Sequence, residues 1–417
     1  MKIAKRYEMV PLDRIVPYAR NARSHSKGQV AQIRASFREF GVLNPCLVDE
    51  QYNLIAGHGR LLAAQAENLS EINCVVVEGL TEAQRKAYII ADNKLAENAG
   101  WDEELLALEF GELQDLGIDL ELTGFDPAEI EKMFNKGDAV QDDDFDVAAE
   151  LDRPAVTRPG DLWLLGRHRL VCGDSTLSET YAALMDGRAA NLVVTDPPYN
   201  VNYEGGACAP GVHRKIKNDN MDGGKFYEFL LAAFTGIEAV MASDASIYVF
   251  HADTEGLNFR RAFADAGFYL SGTCIWKKQS LVLGRSPYQW QHEPVLFGWK
   301  RKGKHAWYSD HKQSTIWEFD KPRKNGDHPT MKPVPLMAYP ILNSSMTGCA
   351  VLDPFGGSGS TLIACEQTDR VCFTAELDEK FCDVIVKRYI EQAGGAGDVF
   401  LLRGREKISY GEVCVNG

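Results

Sequence analysis

Apolar and polar positions along this chain follow two periods, and the places where one gives way to the other mark its elements. In PCLVDEQYNLIAGHGRLLAAQAE two short apolar runs are joined by a turn, and the spacing then lengthens to the helical period near His58, which predicts two strands and a helix. Thr81 with Gln84 forms a capping box that predicts a helix to about Glu97, and WDEELLALEFGEL supplies another. Further along, strands and helices alternate. HRLVCGD, ANLVVTD, ASIYVFHAD and YLSGTCIWKK read as strands, while TLSETYAALMDG, FYEFLLAAFTGIEAVM and a segment through Phe259 and Phe263 read as helices. A late strand, glycine turn and helix, CAVLDPFGGSGSTLIACEQ, completes the pattern. It predicts an α/β fold with a doubly wound, mostly parallel sheet whose ligands bind at the carboxyl ends of the strands. Between the two regions, residues 136–158 have no hydrophobic period and cluster Asp142, Asp143, Asp144 and Asp146, so they read as an acidic linker. The expected organisation is an α+β domain over 1–135, the linker over 136–158 and a larger domain over 159–417.

Composition narrows the classes. The 417 residues carry a formal net charge of −14, which argues against a protein that coats nucleic acid through bulk charge. The distribution is uneven: residues 1–40 hold 9 Lys/Arg against 3 Asp/Glu, and residues 41–135 hold 5 against 19. Ten cysteines without a C-x-x-C pair argue against a zinc module or a disulfide framework, and no metal site is expected. No run of about 18 apolar residues is present and the first residues lack an apolar signal segment, so the expectation is a cytosolic protein without a membrane partner.

The sharpest chemical signal is Asp196-Pro197-Pro198-Tyr199, placed directly after the apolar strand NLVVT. The rival reading is a turn, since Pro-Pro ends strands and Asp favours turns. As chemistry, the tetrapeptide suits methylation of an exocyclic amine, whose lone pair is delocalised into its ring. A carboxylate and a backbone carbonyl could accept both amine protons and localise that lone pair, and Tyr199 would offer a flat face to an extruded base. A ring-carbon methylase would need a Pro-Cys nucleophile; Pro45-Cys46 lies in the other domain and reads as core.

The second signal is the strand and turn Asp353-Pro354-Phe355-Gly356-Gly357-Ser358-Gly359, followed by a helix. It lacks the lysine of a phosphate-binding P-loop, and Leu362 stands where a dinucleotide fingerprint needs glycine. The next strand ends in Glu376, near the spacing at which an acid binds ribose hydroxyls. A nucleoside cofactor without a pyrophosphate fits best.

With HPTMKP between them, these motifs resemble the β class of S-adenosylmethionine-dependent DNA amino-methyltransferases over residues 160–402, a class in which the catalytic motif precedes the cofactor motif in circularly permuted order. The resemblance implies a catalytic role for Asp196, Pro197, Pro198 and Tyr199. It implies a cradle for the methionine part of S-adenosyl-L-methionine at Asp353, Phe355, Gly356, Gly357 and Gly359, with Glu376 on the ribose. Thr330 and Lys332 match a motif lining the same pocket, Lys332 meeting the cofactor carboxylate, and Asp174 matches a position that contacts adenine. Asp at the head of the motif implies N6-adenine; N4-cytosine, or RNA or protein-amide methylation, stays open.

Residues 277–333 hold 12 Lys/Arg against 5 Asp/Glu, interleaved with aromatics including Trp299, Trp307, Tyr308 and Trp317. Such a surface suits double-stranded DNA, with Lys277, Lys278, Arg285, Tyr288 and Trp290 as candidate contacts. In the resembled class this is the target-recognition insertion, about 277–327 here, and its compactness implies a short or relaxed recognition sequence.

Gly57-His58-Gly59-Arg60 opens a helix after a strand, an arrangement that makes a phosphate site. Residues 8–100 resemble the ParB/sulfiredoxin-like domain, whose members bind nucleotides, partition DNA or act as nucleases. Gly-His-Gly-Arg departs from the Gly-Glu-Arg-Arg common in partition proteins. A basic arm, Arg14, Arg20, Arg23, Lys27, Arg34 and Arg38, suits DNA backbone contacts. A ParB-like DNA-binding or nuclease factor with an accessory methylase is therefore the reading from another class. The resemblance further implies a restriction-modification or prophage setting, near the nucleoid, with a homodimer and a cognate restriction nuclease as open partners.

Overall fold

The computed structural model describes residues 4–21, 23–134, 140–201, 220–282, 287–309, 312–320 and 331–416, divided between two units, Met1–Phe134 and Asn135–Gly417. In the first unit, β1 (Ala4–Pro11), β2 (Cys46–Asp49), β3 (Leu54–Ala56) and β4 (Glu71–Glu78) form a sheet in the order β1-β4-β2-β3. The turn between β2 and β3 is held by Asp49, whose Oδ1 accepts from the backbone N–H of Gln51 and Asn53. Gly57 then takes φ 99°, a left-handed conformation that favours glycine, and opens the helix His58–Ala66. Leu61 and Ala64 of that helix bury against Val10, Cys46, Val48 and Val76 of the sheet. The capping box at Thr81 is formed, and the helices Glu82–Glu97, Glu103–Asp115 and Pro127–Phe134 follow.

The second unit is built on eleven strands: β5 (Leu162–Leu165), β6 (His168–Cys172), β7 (Ala190–Thr195), β8 (Met241–Phe250), β9 (Phe268–Val282), β10 (Trp290–Lys300), β11 (Ile316–Glu318), β12 (Ala350–Asp353), β13 (Val371–Glu376), β14 (Val399–Arg403) and β15 (Glu406–Ser409). They lie in the order β11-β9-β10-β8-β7-β12-β13-β6-β5-β14-β15. The centre, β8-β7-β12-β13-β6, is parallel, as the alternating pattern predicts. Both wings begin with antiparallel pairs, β10 on β8 and β5 on β6, so parallel pairing is confined mainly to the middle.

The apolar run of β7 is explained by burial on both faces. Leu192 and Val194 pack with Val334, Leu336 and Ile363, whereas Val193 packs with Phe226, Phe234 and Phe263 of the helices Gly223–Val240 and Gly256–Asp265. From β7 the chain proceeds to β8 on one side, and from β12 to β13 on the other. The carboxyl ends of β7 and β12 therefore flank the switch point of the sheet, where a crevice is expected.

The acidic segment is not a linker from residue 140 onward. It forms a short helix, Val147–Leu151, and buries Phe145, Val147 and Leu151 against Met331 and Val384. Its charges are partnered: Asp143 pairs with Arg388 at 2.7 Å and Glu150 with Lys387 at 2.5 Å. A segment without hydrophobic period can pack when its acids meet buried cations instead of solvent.

Candidate active site

Two strand ends are tied side chain to side chain. Thr195, last in β7, donates its hydroxyl to Asp353 Oδ1 at 2.7 Å, and Thr361 donates to Asp353 Oδ2 at 2.6 Å. Burial pushes the Asp353 carboxyl up to about 6, against the pull of those hydroxyls and of the Phe355 N–H. This bonding places Asp196 beside the glycine turn.

Asp196 is held from two sides. Lys332 Nζ lies 2.6 Å from Oδ2, and the Tyr199 hydroxyl donates to Oδ1 at 2.5 Å. Lys332 also reaches Glu293 Oε2 at 3.1 Å and stands 5.2 Å from the Tyr199 ring centroid, while Lys278 Nζ lies 2.5 Å from Glu293 Oε1. Burial would raise Glu293, but Lys332 and Lys278 outweigh it and hold its carboxyl down at about 2. Asp196 moves the other way: burial raises it, Lys332 opposes, and the charge of Glu293 adds to the rise. Burial would lower Lys332, yet the two carboxylates together keep it above the usual lysine range. Two acids and two ammonium groups thus form one network around the end of β7.

On the β12 side, Gly357 (φ 51°) and Gly359 (φ 86°) take left-handed conformations, the second opening the helix Ser360–Gln367. Gly356 is required by space, since a Cβ there would meet Thr374 Oγ1 at 2.5 Å and Ile385 Cδ1 at 3.0 Å. Glu376, at the end of β13, accepts from the N–H of Gly357 and of Asp378, both at 2.8 Å. Burial, opposed by those N–H groups, pushes Glu376 up to about 7. Asp174 follows β6 and accepts from the Thr176 N–H at 2.8 Å, and the neighbouring Ser175 hydroxyl donates to the Pro354 carbonyl.

The structure thus gathers Asp196, Pro197, Pro198, Tyr199, Lys332, Asp353, Phe355, Gly356, Gly357, Gly359, Glu376 and Asp174 at the carboxyl ends of neighbouring strands. Thr330 and Arg285 lie outside the described residues. The ammonium of Lys332 binds Asp196 and Glu293, an arrangement that the sequence did not point to. Lys278 is paired with Glu293 and mostly shielded from solvent. Lys277 pairs with Glu318 at 2.6 Å, Tyr288 is 89% exposed, Trp290 stands 5.8 Å from His292, and Trp317 is core. Sequence reasoning missed Glu293. The signal available was an acid opening the apolar strand QHEPVLFGW, a position where an unpaired charge would be costly.

In the first unit, Gly57, His58, Gly59 and Arg60 sit at the expected helix start, but His58 Nε2 is buried without a hydrogen-bond partner. Burial, and then His25, lower its pKa, which favours the neutral ring over a phosphate-binding cation. Gly59 serves packing, since a Cβ would lie 3.0 Å from Ile33 Cδ1. Of the basic arm, Arg34 and Arg38 both bind Glu67, at 2.5 and 2.8 Å, and Arg23 binds Asn93 at 3.0 Å. Cys46 is buried, and burial pushes its thiol up to about 11, consistent with core rather than a nucleophile.

A family model described as DNA methylase matches residues 190–387, the span that carries both strand ends and the glycine turn. A ParB N-terminal domain model matches residues 2–93. The chain carries a DNA methylase domain and a ParB N-terminal domain. A third model, a ParB-methyltransferase HTH domain, matches residues 104–159 and covers the helices that end the first unit. The ParB N-terminal domain is similar to the ParB-like nuclease domain-containing protein YnaK of Escherichia coli, with 46% identity over 76 residues, 18% of this chain and 87% of that protein. The methylase part is similar to the type II methyltransferase M.HpaI of Haemophilus parainfluenzae, with 25% identity over 257 residues, 54% of this chain and 76% of that protein. A putative DNA modification methylase of Thermus thermophilus, solved with S-adenosyl-L-methionine, aligns at a TM-score of 0.40 and 20% identity, over 55% of this chain and 95% of that one.

The methylase domain's turn suits a nucleoside cofactor by its donor set. A carboxylate whose oxygens keep spare lone pairs faces a turn of left-handed glycines, and the sequence of the turn, Asp353 to Gly359, holds no lysine for a polyphosphate. Gly356→Ala is expected to weaken S-adenosylhomocysteine binding at least about tenfold through the clash with Thr374. Titration calorimetry on the purified protein reads this directly, and unchanged affinity would refute the role of that turn.

Proposed function

We propose that this DNA methylase transfers the methyl group of S-adenosyl-L-methionine to the exocyclic amine of a base flipped from double-stranded DNA, with adenine N6 as the acceptor. The observation that carries the reading is the position of Asp196 at the switch point, beside the glycine turn and tied to it through Thr195 and Asp353. The bound cofactor supplies an electrophilic methyl group. Asp196 Oδ1 and the backbone carbonyl that follows accept hydrogen bonds from the two amine N–H groups, which localises the lone pair on nitrogen, and the cationic amine formed by methyl transfer then loses one of its protons. Tyr199 keeps its phenol protonated, because burial and then the Asp196 charge raise its pKa, and its ring stacks on the base. Pro197 and Pro198 fix the backbone that carries that carbonyl.

Adenine rests on Asp196 as the first residue of the motif. The test is transfer of labelled methyl to unmethylated DNA, followed by digestion to nucleosides. N6-methyladenine is expected; N4-methylcytosine would overturn the base assignment alone, and absence of transfer to DNA would overturn the reading. The ParB N-terminal and HTH portions add DNA contacts in the same reading, and a homodimer and a cognate restriction nuclease are its further partners. Among the described residues no helix is long and apolar enough to cross a membrane; the proposed action on DNA supports a cytoplasmic location beside the nucleoid.

Glu376 gives this reading a pH signature. Its carboxyl, raised by burial to about 7, is neutral in acid, and only the ionised form offers full acceptor capacity to a ribose diol. Cofactor affinity is therefore expected to rise as pH climbs through about 7 and to lose that rise in Glu376→Gln. A flat affinity profile in the unsubstituted protein would count against Glu376 as the ribose acceptor.

A further inference from the structure

The segment that precedes β5 reaches into the support of the glycine turn. Asp142 Oδ1 accepts from the Val334 N–H at 2.7 Å, which fixes the helix Val334–Ser344 two residues beyond Lys332. Asp143 Oδ2 accepts from Arg388 Nε, also at 2.7 Å. Arg388 belongs to the helix Glu379–Gln392 and is only 2% exposed, so its charge is stable there only with a partner. The other end of its guanidinium donates from Nη1 to the Ser358 carbonyl at 2.9 Å and to Ser360 Oγ at 3.2 Å, on either side of Gly359. Ser360 Oγ in turn donates to the Lys332 carbonyl at 2.7 Å. One buried arginine therefore joins an acid from far upstream to the turn and, through Ser360, to the backbone of Lys332.

We propose that Asp143 is a positioning residue for the methyl-transfer site: through Arg388 it fixes the Ser358–Ser360 turn in the geometry that receives the cofactor. The inference rests on the assignment of that turn to S-adenosyl-L-methionine. Asp143 falls inside the range matched by the ParB-methyltransferase HTH model, residues 104–159, and also inside the second unit, Asn135–Gly417. The end of the HTH range is thus a working part of the methylase. Charge and a fork of donors are both needed, because Nε must face the carboxylate while Nη1 faces the turn.

The experiment compares the full chain with Asp143→Asn, Asp143→Glu, Arg388→Ala and the double variant Asp143→Asn/Arg388→Ala. Two readouts are taken: S-adenosylhomocysteine binding by calorimetry without DNA, and methyl transfer as cofactor concentration is varied. Asp143→Asn is expected to weaken binding about tenfold and raise KM for the cofactor alike, with kcat at saturation within about twofold. Asp143→Glu should recover most of the affinity, and the double variant should bind no worse than Arg388→Ala alone. Unchanged affinity in Asp143→Asn, with kcat falling only as folded protein is lost, would overturn the proposal. Additive losses in the double variant would do the same. If Arg388→Ala does not fold, Asp143→Asn decides, since Asp143 is partly exposed and leaves the arginine its serine partners. Failure of the unsubstituted chain to bind S-adenosylhomocysteine would instead overturn the cofactor assignment itself.

Discussion

Asp196→Ala is expected to reduce methyl transfer about a thousandfold while S-adenosylhomocysteine binding stays within about threefold, because the carboxylate acts on the amine and not on the cofactor. The substitution removes an acceptor that no neighbour can replace: Glu293 is committed to Lys332 and Lys278, and Asp353 to Thr195 and Thr361. Asp196→Asn keeps an oxygen acceptor at the same place without the charge, and its loss should be smaller. The fold should tolerate either change, since Lys332 retains Glu293 as its counter-ion. Single-turnover transfer of labelled methyl at saturating cofactor measures the effect. A variant that transfers within about tenfold of the unsubstituted protein would remove Asp196 from the chemistry.

Lys332→Ala should affect both activity and stability, with opposite dependence on pH. The ammonium is 8% exposed and is shared by Asp196 and Glu293, so its loss leaves two buried carboxyl groups near each other with Lys278 alone to balance them. Removing one partner of a buried ion pair costs about 3–5 kcal/mol. Asp196 is already raised by burial, and without Lys332 it rises further, so at neutral pH a larger share of it is protonated and unable to accept from an amine. Activity in the variant is expected to fall about a hundredfold at neutral pH and to recover as pH rises. Stability runs the other way. A carboxyl whose folded pKa lies above its unfolded value costs nothing while both states are protonated and destabilises the fold as pH rises through that interval. Thermal unfolding of Lys332→Ala should accordingly move to lower temperature with rising pH, while its pH–rate profile climbs. Parallel trends in the two measurements would show that Lys332 does not govern Asp196.

Local chemistry explains what the sequence made legible. The Asp-Pro-Pro-Tyr motif and the glycine turn each follow one apolar strand, and strand ends deliver neighbouring residues to one crevice whatever the rest of the chain does. The apolar run of β7 was read as a strand, and the structure accounts for it by burial on both faces. Glu293 and Lys278 were not legible because they lie on a long hairpin where side chains alternate between faces, and only the paired charge decides which face is inside. Lys278 counted toward a basic surface by composition, yet its partner sits across the hairpin. The acidic segment around Asp143 misled for a related reason. Besides Phe145, Val147 and Leu151, which show no regular period, its contacts are carboxylates on a buried arginine and on a backbone N–H, which hydrophobic periodicity does not register. Of the helices in the range matched by the HTH model, Glu103–Asp115 was read from the sequence, Val147–Leu151 fell in the segment read as a linker, and their joint identity as a module carried no local signature.

The quartet Asp196, Glu293, Lys278 and Lys332 has a consequence for association. Two negative and two positive groups within a few ångströms cancel, so beyond about a Debye length of 10 Å the quartet exerts almost no field of its own. A phosphate chain approaching this unit is therefore not drawn by the reaction centre. Counterion release on binding must come from cations elsewhere, and the sensitivity of encounter to ionic strength is uncoupled from the charges that perform the transfer. Capture and chemistry can then be tuned separately, the first by surface lysines and arginines and the second by four residues that diffusing DNA scarcely senses.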